Sequence, residues 1–387
     1  LEPSLEVLRA AGLLGPEFDR RNASAEATTG DAETNRALVS VIIVNRNGRA
    51  HLEDCLKSLA GQTYEPLEIV VVDNGSTDDS VSFIKTRYPQ AQVLELGENR
   101  GFSVPNNIGI EASGGDWLLL LNNDTALAPS CVTELMRAQV GQSRVAAVAP
   151  KMMFWALPSF INGMGNTVGI RSWGSDNFIG YLDLGQFDET REVASACFGA
   201  VLISRDALEH VGLLDPDYFF YYEDADWSYR ARAQGYRILA APQAVLYHKF
   251  GASARTLESD FKLALVVQNR LRYAVKNLGW KRASRSVLNY AIEDLAGLAG
   301  ALFRRQWRSG RAYIRAWARL LVSVPGLMAA RAEVQRRRVV GDENIFSFAQ
   351  PPSQMQGDMP LLTLKGVENN YLPLMDSPSP SEEPDRV

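Results

Sequence analysis

Three observations predict an α/β fold with a mostly parallel sheet flanked by helices and a helical C-terminal extension. Short β-branched or leucine-rich runs recur between residues 38 and 124. Stretches of about ten residues with helical spacing separate them. Three of the four runs stop at a polar group, as a buried strand does at a sheet edge. Such alternation writes βαβ units and a parallel sheet.

The elements follow in order. Residues 1–36 hold one short amphipathic helix and then the small, polar "NASAEATTGDAETNR", a flexible lead-in. The opening stretch is too charged to read as a signal peptide. "LVSVIIVN" (38–45) is the first strand, and "HLEDCLKSLAG" the first helix. "LEIVVVD" (67–73) is the second strand, followed by the helical "DDSVSFIKTRYP". "AQVLEL" (91–96) is a third, "SVPNNIGIEAS" a helix, and "DWLLLLNND" (116–124) a fourth strand. Residues 37–150 therefore read as one half of a domain, a parallel sheet whose ligands collect at the strand ends.

Residues 151–258 read as a second half of the same domain. Up to 195 the periodicity is weak, which suggests loops and short antiparallel strands. "ACFGAVLISRDALEHVGLLD" is a strand and then a helix, and "YYEDADWSYRARAQGY" carries another helix. "RILAAP" and "AVLYHKFGAS" read as two further strands. Residues 259–340 look helical and basic. Residues 341–387, rich in Pro, Ser, Gln and acids, read as a disordered tail.

Composition narrows the function. A net charge of −5 argues against nucleic-acid binding by the whole chain. Cys55, Cys131 and Cys197 lie far apart, so neither a disulfide framework nor a zinc site is indicated, and a reducing cytosol is the natural compartment. No apolar run reaches the length of a membrane-spanning helix.

The candidate chemistry sits at strand ends. Asn45, Asp73 and Asn122–Asp124 close three strands and fall on one edge, where ligands collect in such sheets. In "VVDNGSTDDS" the Asp73 carboxylate can serve a ribose or base, or only a turn and helix cap. "GENRGFSVPNNIGI" gathers Arg100, Gly101, Asn106 and Asn107 at a helix start, a setting that suits phosphate. "LLLLNNDTAL" offers one acid, Asp124, with two amides, Asn122 and Asn123. A hard cation also takes phosphate oxygens and water, so one protein acid can be enough.

"FFYYEDADWSYRARAQGY" (219–236) is the most informative segment. Glu223 and Asp224 can favour a helix start, and Asp226 can pair with Arg230 four residues on. Capping does not explain the four aromatics before them. A carboxylate base beside a sugar-binding wall does. His248 ends a strand in a Gly-containing loop, whereas His51 and His210 read as ordinary residues of amphipathic helices. Between 281 and 338 stand 13 Lys/Arg against 3 Asp/Glu. Arg304, Arg308, Arg311, Arg315 and Arg319 share one helical face, beside Phe303, Trp307, Ile314, Trp317 and Leu321. That pattern fits peripheral contact with a membrane surface, or a helix hairpin packed on the domain, or a dimer surface.

In this order, "VSVIIVNRNG", "LEIVVVDNGSTDDS", "ENRGFSVPNN", "LLLLNNDT", the 198–238 segment and "VLYHKFGAS" resemble the inverting glycosyltransferases of family 2. The matching elements cover about 38–254. The resemblance implies the GT-A fold, with a Rossmann-like sheet, over a catalytic domain 37–258 whose nucleotide-binding half is 37–150 and acceptor half 151–258. It is similar to bacterial rhamnosyl-, galactofuranosyl- and related transferases that build cell-surface glycans. It implies a nucleotide-diphosphate sugar donor, a glycan or polyprenyl-linked acceptor, and Mg²⁺ or Mn²⁺. Asp224 would be the general base. Asp124 would be a metal ligand, with His248 completing the shell or contacting the diphosphate. Asn45, Asp73, Arg100, Gly101, Asn106, Asn122 and Asn123 would line the donor pocket. Tyr222, Glu223 and Asp226 would stand on the acceptor side. Cysteine usage and the basic 281–338 segment, separately from the resemblance, suggest a cytoplasmic location with peripheral contact at the inner face of the cell membrane. Competing readings are a nucleotidyltransferase and an inactive nucleotide-sugar-binding scaffold.

Overall fold

The computed structural model describes residues 37–168, 174–249 and 258–348. The lead-in (1–36) and the tail from 349 onward lie outside the described residues. β1 (Val39–Asn45), β2 (Leu67–Asp73), β3 (Gln92–Glu95) and β4 (Trp117–Asn122) pair in parallel in the order β3-β2-β1-β4. α1 (Arg49–Ala60), α2 (Ser80–Arg87) and α3 (Ser103–Ala112) connect them. Successive strand side chains point to opposite faces. Val41 and Ile43 meet Leu52, Cys55 and Leu56 of α1 in one core cluster. Ile42, Val70 and Val72 meet Ile110 of α3 in the other.

Beyond β4 the sheet becomes mixed. β5 (Thr125–Leu127) and α4 (Cys131–Gln139) lead to β6 (Val145–Phe154). The weakly periodic segment holds β7 (Ile161–Gly163), β8 (Asn166–Val168), β9 (Gly174–Asp176) and β10 (Arg191–Glu192). β11 (Ala200–Ser204) runs antiparallel between β4 and β6 and leads into α5 (Arg205–Val211). α6 (Glu223–Ala233) then precedes β12 (Arg237–His248), which lies parallel to β6.

Two strands were expected over the span of β12, and one is found. Its register slips between Ala241 and Val245. Pro242 has no N–H to give a ladder, so the chain bulges there and resumes pairing. The last residues of β12 also pair antiparallel with β5, which sets His248 opposite Thr125. That pairing brings a residue from the far end of the domain beside Asp124.

α7 (Ser259–Asn277), α8 (Trp280–Phe303), α9 (Trp307–Arg337) and α10 (Asp342–Ser347) complete the chain. α10 corrects the tail boundary. Its Asp342 takes the Gly279 N–H at 2.9 Å and pairs with Arg338 and the Tyr229 hydroxyl. Those contacts, with Ile345 buried in the helical core and Phe346 packed against it, hold the short segment in place.

α6 is buried on both sides. Trp227 and Ala231 join the sheet core, while Ala225, Tyr229 and Ala233 join the helical core with α7. Between them Asp226, fully buried, pairs with Arg230 (2.8 Å) and Lys276 (2.8 Å) and accepts from Asn277 (2.8 Å). Burial alone would push its carboxyl up, but Lys276 and Arg230 outweigh it and hold the group far below the usual range. Asp226→Ala strands two buried cations. It should lower unfolding free energy by about 3–5 kcal/mol. Urea denaturation measures this, and a loss under about 1 kcal/mol would mean the network does not hold α6 to α7.

Candidate active site

Two adjoining cavities open at the carboxyl edge of β1, β2 and β4. The smaller, about 260 Å³, is lined by Asn47, Gly48, Asn74, Asn99, Gly101 and Asn123 among others. The larger, about 400 Å³, is lined by Asn166, Asp176, Tyr222, Glu223, Asp224 and His248 among others. Asn122, Phe102 and Phe220 line both.

Glycine shapes the smaller cavity at two points. A Cβ on Gly48 would stand 2.0 Å from Asn123 Nδ2 and 2.4 Å from Asn45 Oδ1, so only glycine lets these amides bond at 2.8 Å. Gly101 has φ +81° and lies against Phe219, whose carbonyl would be 2.3 Å from an added Cβ. The next amide, Phe102 N–H, donates to that carbonyl at 2.7 Å. This contact fastens the aromatic segment before α6 to the first half of the domain.

The aromatic segment is strained. Tyr221 and Tyr222 both have positive φ, +73° and +72°, a conformation that costs side-chain-bearing residues of order 1–3 kcal/mol each. Asn269 of α7 holds it, donating from Nδ2 to the carbonyls of Phe220 and Tyr221 at 2.9 Å. The result is a sharp entry into α6 that turns Glu223 and Asp224 into the cavity.

Asp224 Oδ2 accepts from Asn166 Nδ2 at 2.9 Å, and Oδ1 from the Ala225 N–H at 2.6 Å. Burial raises its pKa above the usual carboxylate range, and these donors limit the rise. Burial raises Glu223 as well, with the Asp224 charge adding to it, so Glu223 favours its protonated form. Asp176 is pushed up to about 7 by burial and by Asp224, against the opposing pull of His248. One cavity thus holds three carboxyls of raised pKa, an arrangement suited to proton transfer.

His248 lines the larger cavity, whereas Asp124 lines neither and reaches the site only through its contact with His248. His248 Nε2 lies 3.4 Å from Asp124 Oδ1, and that oxygen is buried and accepts no hydrogen bond. His248 Nδ1 is 2.7 Å from Asn162 Oδ1. In the tautomer that donates from Nδ1, Nε2 carries the lone pair a metal takes, oriented by a carbonyl-type partner. Burial disfavours the imidazolium, but Asp124 and then Asp176 outweigh that and raise the pKa of His248. Among the described residues no three His, Cys, Asp or Glu gather as a metal site. An orphaned carboxylate oxygen facing an oriented imidazole nevertheless fits a divalent cation whose other ligands come from a phosphate and water.

Residues 40–212 match the model of glycosyl transferase family 2. The chain is 27% identical over 271 residues to the N-acetylglucosaminyl-diphospho-decaprenol L-rhamnosyltransferase of Mycobacterium tuberculosis, covering 64% of this chain and 87% of that protein. It is 25% identical to the low-salt glycan biosynthesis hexosyltransferase Agl10 of Haloferax volcanii, covering 70% and 92%. The fold resembles that of GalNAc-T7, solved with UDP, GalNAc and Mn²⁺, at a TM-score of 0.52 and 18% identity, covering 68% of this chain and 57% of that one. Residues 40–212 form a glycosyltransferase family 2 domain. The nucleotidyltransferase reading is thereby set aside.

The glycosyltransferase does not bring every expected residue to its cavities. Asp226 faces α7 rather than an acceptor, because it lies two residues from Asp224 and so on the opposite side of α6. Asp73 is buried and lines neither cavity. It accepts from the Ser76 N–H at 3.0 Å and from Asn45 Nδ2 at 3.4 Å, and so orders the turn under the smaller cavity. Asn45 is buried beneath it, while Val44, Arg46 and Asn47 around it line the wall. Arg100 is exposed and pairs with Glu98 at 3.1 Å. Asn106 is buried and donates back to Phe102 O at 2.8 Å.

Other lining residues escaped the sequence reading. Asn74, Asn99 and His51 line the smaller cavity, and Asn166 and Asp176 the larger. Burial, then Lys249, lowers the pKa of His51. Asn166 and Asp176 face each other across the β8–β9 pair. Asn166→Ala removes a donor that favours the Asp224 carboxylate, so the pKa of Asp224 should rise further. A hydrogen bond to a charged group is worth roughly 1.5–3 kcal/mol, about one to two pH units. Carbon-13 NMR titration of the carboxyl should show the upward move; an unchanged or lower value contradicts it.

Proposed function

We propose that this enzyme transfers a sugar from a nucleotide-diphosphate donor to a hydroxyl of a glycan or lipid-linked acceptor, with inversion, in cell-surface polysaccharide synthesis. One observation carries the reading. Asp224 and His248 line the same cavity, and buried Asp124 stands 3.4 Å from His248. Two of the relatives described above, an N-acetylglucosaminyl-diphospho-decaprenol L-rhamnosyltransferase and a glycan biosynthesis hexosyltransferase, support this donor and acceptor class.

The smaller cavity takes the nucleoside. Its walls of Asn47, Asn74, Asn99 and Asn123 offer amides for a base and ribose, and Gly101 admits the diphosphate close to backbone. Asp124 and His248 would hold Mg²⁺ or Mn²⁺, which supplies charge stabilisation to the departing diphosphate. The sugar then lies toward Asn122, where the two cavities join. The acceptor enters the larger cavity along Tyr221 and Tyr222, whose rings exclude water and offer a face for a sugar.

Asp224 accepts the proton of the acceptor hydroxyl as that oxygen attacks the anomeric carbon. The bond to the diphosphate oxygen breaks on the opposite side in the same displacement. Asn166 holds the base in place through Oδ2. Glu223, kept protonated by its surroundings, can donate a hydrogen bond to the acceptor sugar without competing for the proton. Because Asp224 works as its anion, activity should rise as pH climbs through its raised pKa.

Asp224→Asn keeps the shape and removes the base. Transfer should fall by about 10²–10⁴-fold while donor binding persists, and proton NMR of the wild-type product should show the inverted anomer. Full activity in the variant, or retained configuration, would overturn the mechanism. Asp124→Asn should abolish the Mn²⁺ dependence of nucleoside-diphosphate binding in calorimetry. Unchanged metal dependence would remove Asp124 from the metal site.

A further inference from the structure

α8 and α9 form an antiparallel hairpin with a second apolar surface. On α8 the buried residues Ala283, Ser286, Tyr290, Asp294 and Ala301 form one stripe. Leu288, Ile292, Leu295 and Leu302 form another on the opposite side, 45–66% exposed. Their helical spacing marks a continuous face. On α9, Trp307, Ile314, Leu321 and Met328 recur every seven residues and are exposed, opposite the buried Ala312, Ala316, Leu320 and Leu327. The stripes adjoin. Leu302 lies 3.7 Å from where a Cβ on Gly310 would stand, and Trp317 Nε1 donates to Asp294 at 3.0 Å along the same seam. Phe303, 90% exposed, stands at the hairpin tip.

Charge borders this surface. From 295 to 332 there are seven arginines and no acid. Arg304, Arg305 and Arg308 stand exposed at the tip, and Arg311, Arg315 and Arg319 exposed along α9. Among the described residues, no acid pairs with any of these six. Among them too, no helix is long and apolar enough to cross a membrane.

We propose that this hairpin face docks on a leaflet bearing anionic phospholipid, lying in the plane of the surface. The apolar stripes enter the acyl boundary and the guanidinium groups meet the phosphates. A second copy of the chain fits poorly, because a two-fold contact would set like arginine rows against each other. The face also bears on catalysis. Ser309, beside the tip, bonds Asp260 at the start of α7 at 3.0 Å. The neighbouring Phe261 packs on Phe219, and Lys262 lies over the Tyr221 ring. Docking therefore sets the aromatic wall of the larger cavity near the lipid surface. That last step rests on the acceptor reading above; the docking itself does not.

Vesicle sedimentation of the full chain, without donor or acceptor, tests the docking alone. The chain should bind phosphatidylcholine vesicles containing phosphatidylglycerol, weaken with added salt, and bind pure phosphatidylcholine far less. Arg311→Gln, Arg315→Gln and Arg319→Gln together should weaken the partition coefficient by about 10²-fold, at about a factor of five per charge. Phe303→Ala with Trp307→Ala should weaken it too, and circular dichroism should show both exposed-residue variants folded. No binding to anionic vesicles at low salt overturns the proposal. So does a stable dimer in light scattering that the Phe303 and Trp307 changes dissociate while vesicle binding stays unaltered. Either failure leaves the catalytic reading standing.

Discussion

Asp226 is a carboxylate with no access to water, and α6 holds its place because of it. Such a group survives burial only with its charge matched and its oxygens bonded. Arg230 supplies a partner from the same helix, and Lys276 and Asn277 supply partners from α7. The C-terminal helices are therefore joined through a saturated ionic knot to the helix that carries Asp224. Two residues away, and on the other side of that helix, Asp224 meets amides instead of cations. Two aspartates in one helical turn are thus driven in opposite directions, one held ionised and one raised toward neutrality.

The strained Tyr221–Tyr222 entry depends on the same union. Left-handed tyrosines persist only where surrounding contacts over-determine them. Asn269 from α7 grips the Phe220 and Tyr221 carbonyls on one side, and the Phe102 N–H grips the Phe219 carbonyl on the other. The segment is a bridge between the nucleotide half and the helical extension. A single fold unit results, in which the extension helps to shape the site.

Much of this was legible in the sequence. Apolar runs ending in polar residues place Asn45, Asp73 and Asn122–Asp124 at one edge, because a strand's hydrophobic pattern reports its burial directly. The cluster at 223–226 and the lone His248 also stood out by composition. Less legible was which face each residue takes. Asp226, Arg100 and Asn106 are of suitable chemical type, but Asp226 turns to Lys276 and Asn277 far along the chain, while Arg100 and Asn106 turn to their near neighbours Glu98 and Phe102. Asn166 and Asp176 sit in strands of three residues, too short to show a period. His51 looked like any polar residue on an amphipathic helix.

The sequence by itself determined the alternation of strand and helix, the sheet edge that collects polar groups, and the basic, aromatic character of the C-terminal hairpin. These follow from local periodicity and composition, which act between near neighbours. Only the tertiary structure decided that β5 folds back on β12 to bring Asp124 to His248. It also decided that α7 clamps the aromatic bridge, and that α8 and α9 leave a second apolar face outward. Those outcomes rest on pairings between residues separated by tens to more than a hundred positions, and no local pattern encodes which distant partner a strand end or helix face will meet.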